Sequence, residues 1–345
     1  MQPEVVQQLK VAKLHFYLMV SQAKVSNNRN REHEYENNGT TITEVILMGF
    51  RSSKEVNIFL FALILVVYIF TIYANLLIIT LVFYSKTLHT PMYFLLIQLS
   101  LSDLILSTDI APNLLYIIVR EDRRISFTKC VVQQYVFAVA ECTECLIVTV
   151  MSYDRYLAIC SPLHYTSIMN NFFCAKLVLA CWLLSFLVVM VDAIAIASLK
   201  FCGPNIIDHF FCDVLPLLKL SCSDPLAVQL IMFLTSVVVV FLPFVVIVIS
   251  YSCVIVTILR IQSTTGKQKA FSTCSSHLTV VSIFYVSIIF TYGIPNGGQL
   301  LNLDKLLALF YTVGTPLINP GIYSLRNKEI KTSFVTLVRQ MKKQK

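Results

Sequence analysis

The sequence predicts an all-α membrane protein, a seven-transmembrane helix bundle with a short amphipathic C-terminal helix. Three observations predict it. The 345 residues are 57% hydrophobic and 13% charged, whereas a soluble domain is about 25% charged and about 45–50% apolar. Seven apolar segments, at residues 57–84, 91–116, 131–159, 174–198, 229–259, 272–292 and 303–325, each exceed the roughly 18 residues that mark a membrane span. Lipid offers no partner to an open sheet edge, so these spans are helices. Beyond Leu325, seven cations stand against a single acid, Glu329. This composition excludes a disordered chain, a disulfide-stapled mini-protein and a cytosolic enzyme. It also argues against a nucleic-acid partner despite the net charge of +8, because the basic tail adjoins a span, where anionic lipid headgroups or a cytosolic partner are the natural counterpart.

Three regions follow. Residues 1–56 form an N-terminal tail, expected to be extracellular and disordered. Residues 57–325 form the bundle. Residues 326–345 form a cytoplasmic amphipathic helix and tail, in which Ile330, Phe334, Leu337 and Val338 recur at helical spacing among cations. The basic tail is cytoplasmic by the positive-inside rule, and an odd number of spans then puts the N-terminus outside. Within the tail, 27–38 is polar with no apolar period. The short apolar patch at 14–20 leaves three readings open: an unstructured tail, a weak signal peptide, or a start codon assigned too far upstream. Asn38-Gly39-Thr40 is a glycosylation acceptor, useful only on the lumenal side.

The loop from 200 to 224 holds Cys202, Cys212 and Cys222, and Cys130 opens the third span on the same side. Four cysteines in oxidising surroundings make two disulfides, with three pairings open. The other seven lie in or beside spans and are expected to be reduced. Cys142-Thr143-Glu144-Cys145 has redox or zinc spacing, but inside an apolar helix it is read as packing. His209-Phe210-Phe211-Cys212 has metal-ligand spacing and is likewise discounted.

Charged residues inside spans carry the chemistry, since an unpaired charge there costs several kcal/mol. Asp103 and Glu144 therefore face the bundle interior, against each other, water or a cation. A hydrated sodium ion and a carboxyl that carries a proton are the two readings. Glu141 lies three residues before Glu144 on the same helix face, with Phe137 one turn further out. Glu141 is expected to offer its carboxylate to a ligand amine or hydroxyl, or else to an internal partner. Asp154-Arg155 closes the third span as an acid–base pair, either a switch or a simple helix-end ion pair. Pro243, Pro295, Pro316 and Pro320 interrupt apolar segments and are expected to kink them.

Five ordered strings then spell a family: LHTPMYFLL at 88–96, SLSDL at 100–104, MSYDRYLAICSPLHY at 151–165, KAFSTCSSHLTVV at 269–281 and PLINPGIYSLRN at 316–327. The chain resembles a vertebrate olfactory receptor, a rhodopsin-like G-protein-coupled receptor, from Asn38 to about Arg339. FCGPNIIDHFFCD at 201–213 fits the terrestrial-vertebrate subgroup. The chain departs from the family pattern at Ala74-Asn75, where Gly-Asn is usual, at Val286, where Gly follows Phe-Tyr, and in a longer N-terminal tail.

The resemblance implies a ligand pocket of Phe137, Ala138, Glu141, Cys142, Thr235, Ser236, Val239, Tyr285, Ile288, Ile289, Tyr292, Leu309 and Thr312. It implies a G-protein switch of Asp154, Arg155, Tyr156, Tyr251, His277, Asn319, Pro320 and Tyr323, with Arg155 meeting the G protein. It places Asn75, Asp103 and Asn319 in a polar network, adds Glu144, and makes sodium at Asp103 and Glu144 the one cofactor to consider. It suggests the disulfides Cys130–Cys212 and Cys202–Cys222. The expected partners are a small volatile odorant, a heterotrimeric stimulatory G protein and membrane lipid, at the plasma membrane. The runner-up functions are a metabolite-sensing receptor outside the nose and a transporter, the latter disfavoured by the odd span count and the lack of an inverted repeat. No GxSxG, HExxH or Gly-rich phosphate string supports an enzyme.

Overall fold

The computed structural model describes residues 42–50, 53–120, 123–202, 205–292 and 301–343. Asn38 and Pro295 lie outside the described residues, as does the side chain of Tyr292.

Six described helices are long and apolar enough to cross a membrane. They are α1 (Lys54–Tyr84), α2 (Pro91–Val119), α3 (Phe127–Cys160), α5 (Asn171–Ala197), α7 (Leu226–Arg260) and α8 (Thr264–Tyr292), with the short α4 (Pro162–Ile168) and α6 (Val214–Leu218) in the connections. The seventh crossing is segmented. It comprises α9 (Leu301–Leu309), a π turn at Phe310–Gly314 and α10 (Thr315–Arg326). Leu309, Gly314 and Thr315 keep right-handed helical dihedrals, so the three pieces run on as one helix. The final α11 is Lys328–Lys343.

Helix starts follow local chemistry. Ser53, Ser126 and Asn170 each accept a hydrogen bond from a backbone N–H three residues on, and Pro91 takes the first position of α2. These caps lie outside the apolar segments, so the helices begin earlier than hydropathy alone indicates.

The two π turns share a cause. Val237–Phe241 in α7 stands just before Pro243, and Phe310–Gly314 just before Pro316. Proline has no N–H to donate, and its ring crowds the carbonyl four residues back. Widening the preceding turn accommodates both effects. Pro320 sits inside α10 with no such turn, and so does Pro112 inside α2, which hydropathy did not single out.

The centre of the bundle is α3, which packs on α2, α5 and α7. Its buried face carries the polar groups Gln133, Gln134, Thr143, Glu144, Ser152 and Asp154. At the rim, α1 buries one stripe (Ile64, Thr71, Asn75, Ile78, Val82), while Ile58, Phe59, Ile69, Phe70 and Tyr73 face outward. Outward apolar side chains suit a hydrocarbon surrounding, where burying them gains nothing.

One end of the bundle carries a small sheet. β1 (Glu44–Leu47) is its central strand, antiparallel to β2 (Arg124–Ser126) and parallel to β3 (Ile206–Ile207). Val45 pairs with Ile125, and Leu47 pairs with Ile207. Val45, Leu47, Ile125 and Ile207 join Cys130, Ala195, Ile196 and Leu217 in an apolar cluster of their own. This corrects the expectation of a disordered tail through residue 56. Residues 44–47 form a strand, because edge partners about 80 and 160 positions away satisfy its backbone groups.

The strand ends at Leu47, and the chain turns at Gly49, whose φ is +59° and whose added Cβ would meet Ile117 Cγ2 at 3.0 Å. Gly49→Ala should lower stability by about 1–2 kcal/mol, through the left-handed backbone and the contact together. The check is the thermal unfolding midpoint of the detergent-solubilised receptor; an unchanged midpoint contradicts this account.

Candidate functional site

Three polar clusters lie along the bundle axis. The middle one centres on Asn319 of α10. Its Nδ2 donates to Asp103 Oδ1 at 3.0 Å and Oδ2 at 3.4 Å on α2, and to Glu144 Oε1 at 2.8 Å on α3. All three residues are buried. Two carboxylates thus share one amide. Asn75 joins through the backbone, donating to the carbonyls of Thr71 (3.1 Å) and Pro316 (3.0 Å). Asn75 Oδ1, Asn319 Oδ1 and Thr315 Oγ1 are buried oxygens with no hydrogen-bond partner among the described residues, and Thr315 lies one turn before Asn319 on the same face. An oxygen-rich, acid-bearing set of this kind fits a hard monovalent cation in its donor chemistry. No group of three or more His, Cys, Asp or Glu residues suits a metal among the described residues.

The second cluster is at the end where α3 terminates. Asp154 is fully buried. Its Oδ2 accepts from Arg155 Nε at 2.9 Å and also from Nη2, and its Oδ1 accepts from the Tyr165 hydroxyl of α4 at 2.8 Å. Burial, and then the Asp154 charge, push the Tyr165 phenol well above its ordinary range, so it stays a donor. The pair therefore has a third member that the sequence reasoning missed, although Tyr165 closes the string at 151–165. Tyr251 hydrogen-bonds His277 Nδ1 across α7 and α8, and the two rings stack. Tyr323 and Pro320 are buried on α10, and Tyr156 is half-buried beside Tyr153. The residues expected to form a switch thus gather at one end and run up to the Asn319 centre.

The third cluster lies toward the sheet. Phe137 packs on Phe211 (5.1 Å between ring centroids) and Tyr311 (6.4 Å), and Tyr311 on Phe284 (6.4 Å). Glu141 is half-buried, and the Tyr311 side chain acts on its carboxyl, so an internal tyrosine, one reading of its role, stands beside it. Ala138, Cys142, Ile288 and Leu309 pack partly buried around this column. Val239, Tyr285 and Thr312 are buried, with the Tyr285 hydroxyl bonded to Cys145 Sγ at 3.2 Å and Thr312 Oγ1 donating to the Ala308 carbonyl.

Three members of the expected pocket stand differently. Thr235 Oγ1 donates to Asp192 Oδ1 of α5 at 3.0 Å, and Ser236 Oγ to the Phe233 carbonyl at 2.7 Å. Their hydroxyls already have partners, and Ser and Thr commonly back-bond within a helix. Ile289 is 54% exposed and does not join the column, because it falls on the outward face of α8. Tyr311 and Asp192 belong near the site and were missed. Asp192 was visible as an in-span acid.

Both expected disulfides are formed, Cys130–Cys212 and Cys202–Cys222, and the other seven cysteines are reduced. The first ties α3 to the segment carrying Phe210 and Phe211. Gln133 reinforces it, accepting from the Cys212 N–H at 3.2 Å and donating to the Asp109 carbonyl at 3.0 Å. His209 is buried between Phe210 and Phe211. Burial, with the Lys305 cation next in weight, pushes its imidazole down to about 3.

A seven-helix membrane bundle with a buried acid–amide centre, an arginine–aspartate lock at one end and an aromatic column at the other defines a rhodopsin-like receptor. Comparison with known proteins narrows this. The family model described as Olfactory receptor matches residues 64–341. The chain is 44% identical to human Olfactory receptor 6B1 over 300 residues, covering 87% of this chain and 96% of that protein. It is 44% identical to mouse Olfactory receptor 5G29 over 299 residues (87% and 95%) and to rat Olfactory receptor 1496 over 306 residues (89% and 99%). The chain belongs to the olfactory receptor family. It is an odorant receptor of the G-protein-coupled class, a multi-pass plasma-membrane protein and not an enzyme.

Two outcomes follow from this geometry. Tyr165→Phe removes a hydrogen bond to a charged acceptor, worth about 1.5–3 kcal/mol, and should raise ligand-independent nucleotide exchange on the G protein; equal basal exchange at equal surface level contradicts a three-member lock. His209 has its folded pKa depressed, so the unfolded state binds more protons between pH 6.5 and about 3. Stability is then full above pH 6.5 and falls as pH drops, by about 2 kcal/mol at pH 5. The charged groups around it, Lys305, Asp208 and Lys219, remain in His209→Phe. That variant should lose part of the acid-induced drop in unfolding midpoint, and an identical pH profile would overturn the assignment.

Proposed function

We propose that the receptor binds a small, volatile, mostly apolar odorant around the Phe137–Tyr311 column and activates a stimulatory olfactory-type G protein, raising cyclic AMP. The N-terminus is extracellular and the C-terminus cytoplasmic in this reading, which puts the sheet outside and Arg155 inside. One observation carries it: Asp154 holds Arg155 at one end of α3, while Phe137 and Glu141 on the same helix line the column at the other. A ligand shifts the receptor only by binding the open state more tightly than the closed one. The column and the lock are joined by α3 and by Asn319, which touches both α2 and α3.

Glu141 sets the ligand class in this reading. It is the half-buried acid of the column, and a ligand amine or hydroxyl competes for it with Tyr311. Asp103, Glu144 and Asn319 would hold a sodium ion in the closed state, which would supply the positive charge that two carboxylates and one amide lack. Lipid contacts α11, where Phe334 and Val335 are exposed beside Lys331, Arg339 and Lys342, while Ile330 and Leu337 pack inward.

The test is cyclic AMP output in cells expressing the receptor, across a volatile panel that includes amines. A response lost in Arg155→Ala at normal surface level is expected, and a response that survives sinks the G-protein reading. Glu141→Gln should weaken amine agonists by about tenfold or more, the scale of one lost charged hydrogen bond. An unchanged panel and unchanged potencies would remove Glu141 from ligand recognition.

A further inference from the structure

Lys305 is a buried cation that neither the lock nor the pocket uses. It sits on α9, at the sheet end of the seventh crossing, with its side chain 3% exposed. Its Nζ donates to the Gly49 carbonyl at 2.9 Å and to Asp208 Oδ1 at 2.6 Å. Each acceptor belongs to a different strand extension. Gly49 lies two residues past the end of β1, and Asp208 directly follows β3. One ammonium therefore fastens both strands to the seventh helix.

The neighbouring contacts make this a closure rather than an isolated ion pair. The Gly49 N–H donates to the His209 carbonyl at 3.1 Å, and the Met48 N–H to the Ile207 carbonyl at 2.9 Å. Phe50 stacks on Phe210 at 5.6 Å, Phe210 meets Phe211 at 5.1 Å, and Phe211 meets Phe137. The chain of contacts thus runs from Lys305, through the strand ends, to the top of the aromatic column. Arg123 closes the far side by donating to the Met48 carbonyl.

We propose that Lys305 is a positioning residue that latches residues 44–50 and 206–211 over the column, so that the latch sets how long a ligand stays inside. Lysine suits the role because one ammonium serves acceptors of different kinds at once, a backbone carbonyl and a carboxylate. The second half of the proposal rests on the odorant reading above; the first half does not.

The experiment compares Lys305→Met, which keeps length and loses charge, with Lys305→Arg, which keeps a donor. Deuterium uptake of peptides covering 42–50 and 205–212 is measured in detergent without ligand. Uptake should rise in both peptides together in Lys305→Met and return toward wild type in Lys305→Arg. Uptake unchanged in either peptide overturns the latch, whatever the ligand proves to be. For an agonist found by the panel, decay of the response after washout should be at least threefold faster in Lys305→Met; decay at the wild-type rate overturns the link to ligand residence. A disulfide across the β1–β3 register, Ile46→Cys with Ile206→Cys, replaces the latch by a covalent tie. In the Lys305→Met background it should restore slow decay or, where that variant stays inside the cell, return it to the surface. Failure to restore either one counts against a positioning role.

Discussion

Hydrocarbon offers no hydrogen-bond partner, and the polar groups of the spans are arranged by that constraint. The backbone meets it by forming helices. Side chains meet it by turning inward, which is why the buried polar residues of α3 fall on one face. Once gathered on the axis, the longer ones meet between helices: Asn319 with Asp103 and Glu144, Asp154 with Tyr165, Tyr251 with His277.

Proline works within the same constraint. Pro243 and Pro316 each remove a donor from a helix that has no water to replace it, and a π turn precedes each. Both turns lie beside residues of the aromatic column: Val239 is inside one, and Tyr311 and Thr312 are inside the other. The two wider, less regular turns thus border the place where a ligand would press. The Asn319 centre lies one turn beyond the second, on the side of the lock.

The sheet end obeys a different rule. There the backbone leaves the helical pattern; its groups are satisfied by strand pairing and the Lys305 ammonium, and two disulfides tie the segments covalently. A short strand has little stability alone, so β1 depends on β2, β3 and the apolar cluster beneath them. This local dependence separates the sheet from the helices, which are set by their own periodicity.

By itself the sequence determined the seven crossings, the inward acids and the family. Span length, charge placement and the five ordered strings are one-dimensional signals, and hydrocarbon converts each directly into structure. Both disulfide pairs were legible through the resemblance. Tertiary structure alone decided which groups meet. Tyr311 as the partner of Glu141, Tyr165 as the third member of the lock, and Asp192 as the acceptor for Thr235 all join separate elements, and no local pattern reports such a pairing. The outward turn of Ile289 came from the rotation of α8, which apolar character cannot fix when lipid and core are both apolar. The strand at Glu44–Leu47 was hidden for the same reason that it exists: its partners are supplied by loops about 80 and 160 residues away, and only the folded bundle brings them to one end.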